Sequence, residues 1–337
     1  MKRRTRQTGG STFALSRRAF LATATVPLVA SACSAPPYDR SRFTLPERSN
    51  VALLPASSYA VDFADIVSRG LATLGVTLSG RRVLLKPNMV EYEIDTAINT
   101  HPNVLVGAAI ACRRAGAASV TIAEGPGHRR DIEYLLATTG LDEHLREERI
   151  DFIDLNHDDV RMTHLASSFT GVSQLALPTA LLQSDFVISV PKLKTHHWAG
   201  MTCSMKNLFG TVPGAVYGWP KNVLHQLGIA NSIVDLTSTI RPGLSIVDAV
   251  VAMEGDGPIM GKARPLGFVA MGTDPVAVDA TCARIIGLAP EKMAYLKNAS
   301  KFLGLIEESR IVHRGESPAR YASPFDVVPS QAHLKRS

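Results

Sequence analysis

The chain is poor in cysteine, with four among its 337 residues. Because Cys33, Cys112, Cys203 and Cys282 lie far apart, they form neither a Cys-x-x-Cys metal knuckle nor a dense disulfide framework. The sequence also lacks the ligation patterns that hold iron–sulfur clusters or haem. We therefore expect no iron–sulfur cofactor, and a redox protein is disfavoured.

The chain also has little net charge once its first 32 residues are set aside. The formal charge of the whole chain is +6, and residues 1–32 contain no acid and six basic residues, namely Lys2, Arg3, Arg4, Arg6, Arg17 and Arg18. Taking these six charges from +6 leaves a formal charge of zero on the rest. No positive field then remains to attract a phosphate backbone, so the sequence predicts no nucleic-acid partner.

The N-terminal apolar run, residues 19–30, is too short for a transmembrane helix, which needs about 20 residues. Arg17 and Arg18 precede this run in the order Ser-Arg-Arg-Ala-Phe-Leu, a twin-arginine signature. We therefore interpret residues 1–32 as a signal peptide. The sequence predicts export through the twin-arginine translocon, to the periplasm or the outer cell surface.

The residues around Cys33 indicate how the exported chain is held. Small residues precede the cysteine in Ala-Ser-Ala-Cys, as they do in a lipoprotein cleavage site, and a lipid on Cys33 would anchor the protein to the membrane. Ordinary cleavage at an Ala-x-Ala-like site is the alternative. Residues 33–48 contain three prolines and are interpreted as a tether that holds the domain off the membrane.

The pattern of apolar residues predicts an α/β fold. Strand patterns alternate with helix patterns, which is typical of βαβ units and of a largely parallel sheet flanked by helices. The predicted strands are 50–54, 82–86, 119–124, 151–155, 185–190, 244–250 and 266–271. We assign the α/β domain to residues 49–315, built as one large sheet or as two lobes, with a frayed tail at 316–337. Residues 157–171 are interpreted as an irregular polar insert, and residues 221–240 as one helix.

Basic residues concentrate in residues 189–214, a segment that follows a strand ended by Pro191. It contains Lys192, Lys194, His196 and Lys206 and no acid, and these cations are interleaved with large apolar residues. Such a cluster repels itself unless an anion or nearby carboxylates offset its charge. A solvated basic loop is the alternative, but the apolar residues favour a lined pocket.

Other polar residues follow neighbouring strands. Lys86 and Asn88 end the strand at 82–86, and in a parallel sheet such strand ends meet at the edge where ligands bind. The pair Gly125 and Gly127 is interpreted as a turn, since a phosphate-binding loop needs a further glycine and a Lys-Ser/Thr. Lys86, Asn88, Lys192, Lys194 and Asn207 are therefore the predicted ligand-binding residues.

A second loop, residues 253–261, concentrates acid and glycine. Two carboxylates on a flexible turn, Glu254 and Asp256, suit a hard divalent cation with oxygen ligands. They could equally pair with the lysines of residues 189–214. A divalent cation is the one cofactor that the sequence suggests.

Five stretches of the sequence together resemble a known family. They are Lys-Pro-Asn at 86–88, PKLKTH at 191–196, MKNLFGTVPG at 205–214, MEGDGP at 253–258 and TDPVAVDA at 273–280. The sequence from about residue 50 to about residue 310 resembles the domain-of-unknown-function 362 family. The resemblance implies a fold and a site without naming a reaction. Some members carry an appended ferredoxin-like iron–sulfur module, and this chain has no cysteine run of that kind.

These observations lead to one functional hypothesis and one alternative. The hypothesis is an exported enzyme that acts on a small anionic molecule, with the lysines holding the anion, Asn207 positioning it and His196 or Lys206 serving in catalysis. The reaction class stays open between proton transfer beside a carboxylate and phosphoryl transfer. The alternative is a non-catalytic periplasmic protein that binds a small ligand or cofactor in the same pocket.

Overall fold

The computed structural model describes residues 35–94, 96–127 and 131–336. The predicted signal peptide and Cys33 lie outside the described residues. From Pro37 onward, the described residues form one compact unit. No helix among them is long and apolar enough to cross a membrane.

Within the described residues, ten strands form one sheet and two more form a separate hairpin. The strands are β1 Ser49–Pro55, β2 Arg82–Pro87, β3 Ser119–Glu124, β4 Asp151–Asp154, β5 Val160–His164, β6 Gln174–Pro178, β7 Phe186–Val190, β8 Lys192–His196, β9 Gly200–Thr202, β10 Leu244–Glu254, β11 Lys262–Gly272 and β12 Ile311–Gly315. The order of the main path through the sheet is β12-β1-β11-β10-β7-β2-β3-β4, and β8 pairs with β10 and with β9.

Most strand pairs in the sheet are parallel. Strand β11 runs antiparallel to both its neighbours, β1 and β10, and β9 runs antiparallel to β8. The pairs β10–β7, β7–β2, β2–β3, β3–β4 and β12–β1 are all parallel. The predicted fold class, an α/β protein with a largely parallel sheet flanked by helices, is confirmed.

Helices cover both faces of the sheet because its central strands are apolar on both sides. The helices are α1 Phe63–Leu74, α2 Pro102–Arg114, α3 Ile132–Thr139, α4 Leu141–Glu147, α5 Thr179–Gln183, α6 Ser204–Asn207, α7 Gly214–Tyr217, α8 Asn222–Gln226, α9 Ile229–Ile240, α10 Pro275–Ile285, α11 Ala294–Ala299 and α12 Pro318–Tyr321. Along β10, Leu244 and Ile246 join one hydrophobic core with α1 and α2, while Val247 and Ala249 join another with α9, α10 and α11.

The structure differs from the sequence-based expectation at both ends of the domain. The interpretation of the proline-rich segment as a tether fails from Tyr38 onward, because the Tyr38 ring stacks on Phe302 with centroids 4.0 Å apart and Phe43 meets the same ring edge-on. The predicted frayed tail is instead packed on the domain, since Tyr321, Phe325 and Leu334 are buried in the core. In both segments, isolated aromatic or apolar residues anchor a chain that has no periodic pattern.

Two internal predictions also need correction. The insert at residues 157–171 is partly ordered, because β5 forms an antiparallel hairpin with β6. Strand β5 is mostly exposed, including its apolar residues Val160 and Met162, so its order comes from the pairing with β6, where Leu175 and Leu177 are buried. The single helix predicted at 221–240 is two helices, since Gly228 adopts a φ of 91° between α8 and α9.

Candidate functional site

A cleft of about 220 Å³ lies at the carboxyl ends of β2 and β3. Strand β8, helix α6 and the turn after α6 complete its walls. Its polar lining is Lys86, Asn88, Glu124, Lys194, His196, His197, Thr202, Lys206, Asn207, Lys221 and His225. Apolar side chains fill the spaces between them, among them Met89, Val90, Trp198, Phe209 and Ile259. The cleft is therefore small and rich in basic groups.

One buried ion pair forms part of the cleft wall. The Nζ of Lys86 lies 2.6 Å from Oε1 of Glu124, and both side chains are almost fully buried. Glu124 also accepts hydrogen bonds from the backbone N–H groups of Met89 and Gly125. A Cβ at Gly210 would overlap both Glu124 Oε1 and Lys86 Nζ, so this position must be glycine for the pair to close.

Asn207 holds Lys86 in place. Its Nδ2 donates to the carbonyl of Lys86 at 2.8 Å and to Oγ of Ser189 at 3.1 Å, while its Oδ1 accepts from Lys86 Nζ at 3.5 Å. The predicted role of Asn207 was to position substrate. Its amide is instead occupied by protein groups, which ties α6 to β2 and β7.

Lys194 is a fully buried lysine whose hydrogen-bond partners are neutral. Its Nζ donates to the carbonyl oxygens of Ile98 at 2.7 Å and Pro258 at 3.3 Å. Among the described residues, no carboxylate lies within 4.0 Å of it. Burial, followed by the positive charge of Lys206, lowers the pKa of Lys194 well below its usual 10.5.

Lys206 lies at the centre of the basic cluster. Its Nζ sits 4.1 Å from the centroid of the Phe209 ring, and no acceptor in the described parts of the chain takes a hydrogen bond from it. Burial, followed by the charge of Lys86, lowers the pKa of Lys206 to about 8. Burial is also the main cause of the lowered pKa values of four other residues, and the positive charge of Lys206 lowers each of these values further. The four residues are Lys194, His196, Lys221 and His225.

The hydrogen bonds of His196 fix its tautomer. Its Nδ1 lies 3.1 Å from the backbone nitrogen of Trp198 and 3.2 Å from that of Ala199, and both of these N–H groups can only donate. Nδ1 therefore carries the lone pair and Nε2 the proton. Burial, followed by the charge of Lys206, holds the pKa of His196 well below 6.5. His196 is thus a neutral Nε2–H donor, a geometry that conflicts with the predicted role in general acid or base catalysis.

His225 has the opposite tautomer. Its Nδ1 lies 3.2 Å from the carbonyl oxygen of Lys221, which can only accept, so the proton is on Nδ1 and the lone pair on Nε2. Burial lowers the pKa of His225, so the ring is neutral near pH 7. The cleft therefore contains one imidazole that donates from Nε2 and one that can accept there.

Asn88 contributes an unpartnered polar side chain. Only 8% of its surface is exposed, and its Oδ1 is buried without a hydrogen-bond partner in the described chain. Its backbone N–H and C=O are both satisfied by Thr100, so the side-chain amide alone is left without a partner. Leaving a buried amide oxygen unpaired costs about 1–3 kcal/mol, so this oxygen is available to a donor in the cleft.

Comparison with known proteins identifies the family. The sequence profile of "Domain of unknown function (DUF362)" matches residues 83–284, more than half of the 337-residue chain. The chain belongs to this family. A relative with a curated description, the thylakoid-associated protein sll1697 of Synechocystis sp., is 30% identical over 236 residues, which cover 67% of this chain and 69% of the relative.

Two solved structures resemble this DUF362 protein in part. One is the lactate racemase apoprotein from Thermoanaerobacterium thermosaccharolyticum, with a TM-score of 0.44, 14% identity and coverage of 72% of this chain and 59% of that one. The other is a protein from Thermotoga maritima, with a TM-score of 0.38, 14% identity and coverage of 65% and 57%. The chain therefore spans less than two thirds of each solved chain. Likenesses of this size carry no inference about activity.

The DUF362 motifs have distinct structural roles. TDPVAVDA supplies Asp274, which caps α10 through the N–H groups of Val276 and Ala277. The same motif supplies Asp279, which accepts hydrogen bonds from the N–H groups of Ser204 and Met205 at 2.7 and 3.3 Å. Asp279 thus fixes the start of α6, the helix that carries Lys206 and Asn207.

Lys192 does not line the cleft. Although Lys192, Lys194 and His196 alternate along one face of β8, the Nζ of Lys192 is 2.6 Å from Asp248 Oδ2 and 2.6 Å from the hydroxyl of Tyr59. Asp248 neutralises this lysine inside the protein. Of the predicted anion-binding lysines, the structure brings together Lys86, Lys194 and Lys206.

The two carboxylates predicted to bind a cation point to separate partners. Glu254 pairs with Arg264 at 3.3 Å and accepts the N–H of Asp326 at 3.1 Å, while Asp256 lies 3.0 Å from Nδ1 of His197. Neither contacts a lysine of β8 or α6, which the alternative interpretation expected. The described chain contains no group of three or more His, Cys, Asp or Glu side chains that could hold a metal ion.

Lys221 is the main site residue that sequence reasoning missed. Its Nζ donates to the carbonyl oxygen of Val212 and to Oδ1 of Asn156, and burial lowers its pKa to about 7. Its backbone φ of 68° is rare for a residue with a side chain, and such strain is common at functional sites. The sequence signal was weak, because a lysine at the start of a predicted helix is ordinarily a surface residue.

Proposed function

We propose that this DUF362 protein binds a small anionic molecule in the Lys-rich cleft and acts on it as an enzyme. The observation that carries this proposal is the excess of lysines over carboxylates around the buried Lys194 and the half-buried Lys206. Within the described chain, Glu124 is the one carboxylate close to these lysines, and it is already paired with Lys86. A bound anion would offset the two remaining cations, and the Nε2–H of His196 would donate a third bond to it.

Lys206 is the group best suited to move a proton in this cleft. A lysine with a pKa of about 8 has both a basic form and an acidic form near neutral pH. In this proposal Lys206 takes or gives a proton at the bound molecule, Lys194 holds an anionic group, and His196 steadies an oxygen that gains negative charge. Asn88 completes the set by pairing its buried amide with a polar group of the ligand.

A non-catalytic role in binding a small molecule is the second candidate. The observation that favours it is the fixed tautomer of His196, which removes one of the two predicted catalytic groups and leaves a donor suited to holding an anion. Turnover depends on Lys206, whereas binding depends on the whole cluster. Lys206→Arg separates these functions because it keeps the positive charge and removes a base that is active near neutral pH.

The proposal is tested by a thermal-shift screen with phosphate, citrate and short carboxylates. A ligand at a hundred times its dissociation constant stabilises a protein by about 2.7 kcal/mol. In a domain of this size that corresponds to a rise in melting temperature of about 5–10 °C. We expect such a rise in the wild type and its loss in Lys206→Met. Lys301→Met is the matched control, since Lys301 is exposed, lies outside the cleft and donates to Oδ1 of Asn298. Equal responses in all three proteins would place the anion site elsewhere.

Export through the twin-arginine route, with lipidation at Cys33, is part of the same proposal. It rests on the sequence of residues 1–33 alone. Replacing Arg17 and Arg18 together by lysine should leave the precursor in the cytoplasm, as seen by cell fractionation. Cys33→Ala should release the protein from the membrane fraction without unfolding it. Wild-type protein found wholly in the soluble periplasmic fraction would refute the lipid anchor.

A further inference from the structure

We propose that the ε-amine of Lys206 forms an imine with the carbonyl carbon of a small 2-oxo acid bound in the cleft. This inference rests on the proposed function, because the acid's carboxylate is the anion that the cleft would hold. It adds a covalent step and narrows the substrate to molecules that carry a carbonyl next to a carboxylate.

The surroundings of Lys206 suit a nucleophilic amine. A lysine that donates to several acceptors has its nitrogen held in those bonds, whereas Lys206 Nζ has no hydrogen-bond acceptor among the described residues. The Phe209 ring lies 4.1 Å below it and supplies an apolar surface. Burial, followed by the positive charge of Lys86, disfavours the charged form of the amine.

The pKa of Lys206 supports this role. A pKa of about 8 instead of the usual 10.5 gives roughly 300-fold more neutral amine at pH 7. Lys194 differs from Lys206 because its Nζ already donates to the carbonyl oxygens of Ile98 and Pro258. We therefore assign the nucleophile to Lys206 and the carboxylate clamp to Lys194.

The other groups of the cleft match the remaining atoms of a 2-oxo acid. The Nε2–H of His196 is a neutral donor, suited to the carbonyl oxygen and to the hydroxyl that replaces it during the reaction. The Nε2 of His225 carries a lone pair that can accept a proton. A cavity of about 220 Å³ favours a ligand of a few carbon atoms.

The chemistry balances without an oxidant or a reductant. The ammonium form of Lys206 first gives one proton to a base of the cleft, and the freed nitrogen pair then attacks the carbonyl carbon. The carbonyl π pair moves to the oxygen, and proton transfer from nitrogen to oxygen gives a carbinolamine. The C–O bond then breaks, and the oxygen takes up the proton first given away and leaves as water. One ammonium and one ketone thus become one protonated imine and one water.

Reductive trapping tests the proposal directly. The full-length protein is incubated with glyoxylate, pyruvate or 2-oxoglutarate in the presence of sodium cyanoborohydride, which converts an imine to a stable secondary amine. Intact-mass measurement should show one adduct per chain for at least one of the 2-oxo acids, and peptide mapping should locate it at Lys206. Trapping should rise about tenfold or more from pH 6 to pH 8 as Lys206 loses its proton.

Variants and a matched non-carbonyl acid separate this inference from the proposed function. Lys206→Arg keeps the charge and should lose the adduct, while Lys301→Arg should keep it. Propionate matches pyruvate but lacks the carbonyl, so it tests anion binding alone through the melting temperature. A rise in melting temperature with propionate, without an adduct from any oxo acid, would refute imine formation and leave the proposed function standing. No rise and no adduct would overturn both, and an adduct retained in Lys206→Arg would refute the assignment to Lys206.

Discussion

Gly210→Ala is the substitution whose effect follows most directly from the geometry of the cleft. The backbone at Gly210 does not adopt a left-handed φ, so alanine adds steric overlap without backbone strain. The new Cβ would overlap both Glu124 Oε1 and Lys86 Nζ and would lie 2.7 Å from Lys86 Cε. One or both side chains must then shift, and we expect the Lys86–Glu124 pair, whose side chains are each 1% exposed, to separate inside the protein.

The expected loss of stability follows from leaving a buried charge without the partner that compensates for its desolvation. Breaking a buried ion pair destabilises a protein by about 3–5 kcal/mol. At ~2–4 °C per kcal/mol, the melting temperature should fall by about 6–20 °C. Thermal unfolding followed by circular dichroism measures this change, and denaturant unfolding gives the free energy independently.

Gly127→Ala is the matched control, since a Cβ there meets no described atom within 4 Å and its φ is also outside the left-handed region. It should leave the melting temperature within about 4 °C of the wild type, because a tolerated Gly→Ala change is worth about 0.4–1 kcal/mol. Equal melting temperatures for Gly210→Ala and Gly127→Ala would refute the close packing of Gly210 against the ion pair.

Three further predictions concern titration and metal. Lys221 has a lowered pKa of about 7, so on raising the pH it loses its proton in the folded state before it does in the unfolded state. The free energy of unfolding of the wild type, measured in urea, should therefore rise by up to about 5 kcal/mol relative to Lys221→Met between pH 7 and pH 10.5. Burial raises the pKa of Asp279 to about 6, so its contribution to the free energy of unfolding is present below pH 3.8 and is lost as pH rises through 6. Across that range the free energy of unfolding of the wild type should fall by about 3 kcal/mol relative to that of Asp279→Asn. Because Glu254 and Asp256 pair separately with Arg264 and His197, Mg²⁺ or Ca²⁺ should leave the melting temperature of chelator-treated protein unchanged, and a rise abolished by Glu254→Gln with Asp256→Asn would restore the cation site.

The fold class could be predicted from the sequence because the spacing of apolar residues distinguishes most strands from helices. The sequence also placed two cleft residues correctly, since Lys86 and Asn88 lie at the carboxyl end of β2, and parallel strands end at one edge. The prediction that Lys194 and Lys206 line one pocket depended on their position in one short basic segment. Local pattern and sheet topology were enough for these residues.

The remaining features depend on partners that are distant in the sequence. Lys192 and Lys194 look alike on β8, and only the position of Asp248 on β10 decides that Lys192 is neutralised and Lys194 is not. The tautomer of His196 is set by two backbone N–H groups whose direction no residue pattern specifies. Lys221 enters the cleft through a left-handed backbone conformation at a residue other than glycine, which sequence rules treat as an exception.

Native mass spectrometry of the protein purified from its own host tests the central claim most directly. The account predicts that the wild type retains one small acidic molecule, which is released by mild activation and is absent from Lys194→Met prepared in the same way. Lys301→Met should retain the molecule. Equal retention by Lys194→Met and the wild type, or retention of a cationic or nucleic-acid ligand instead, would contradict the account.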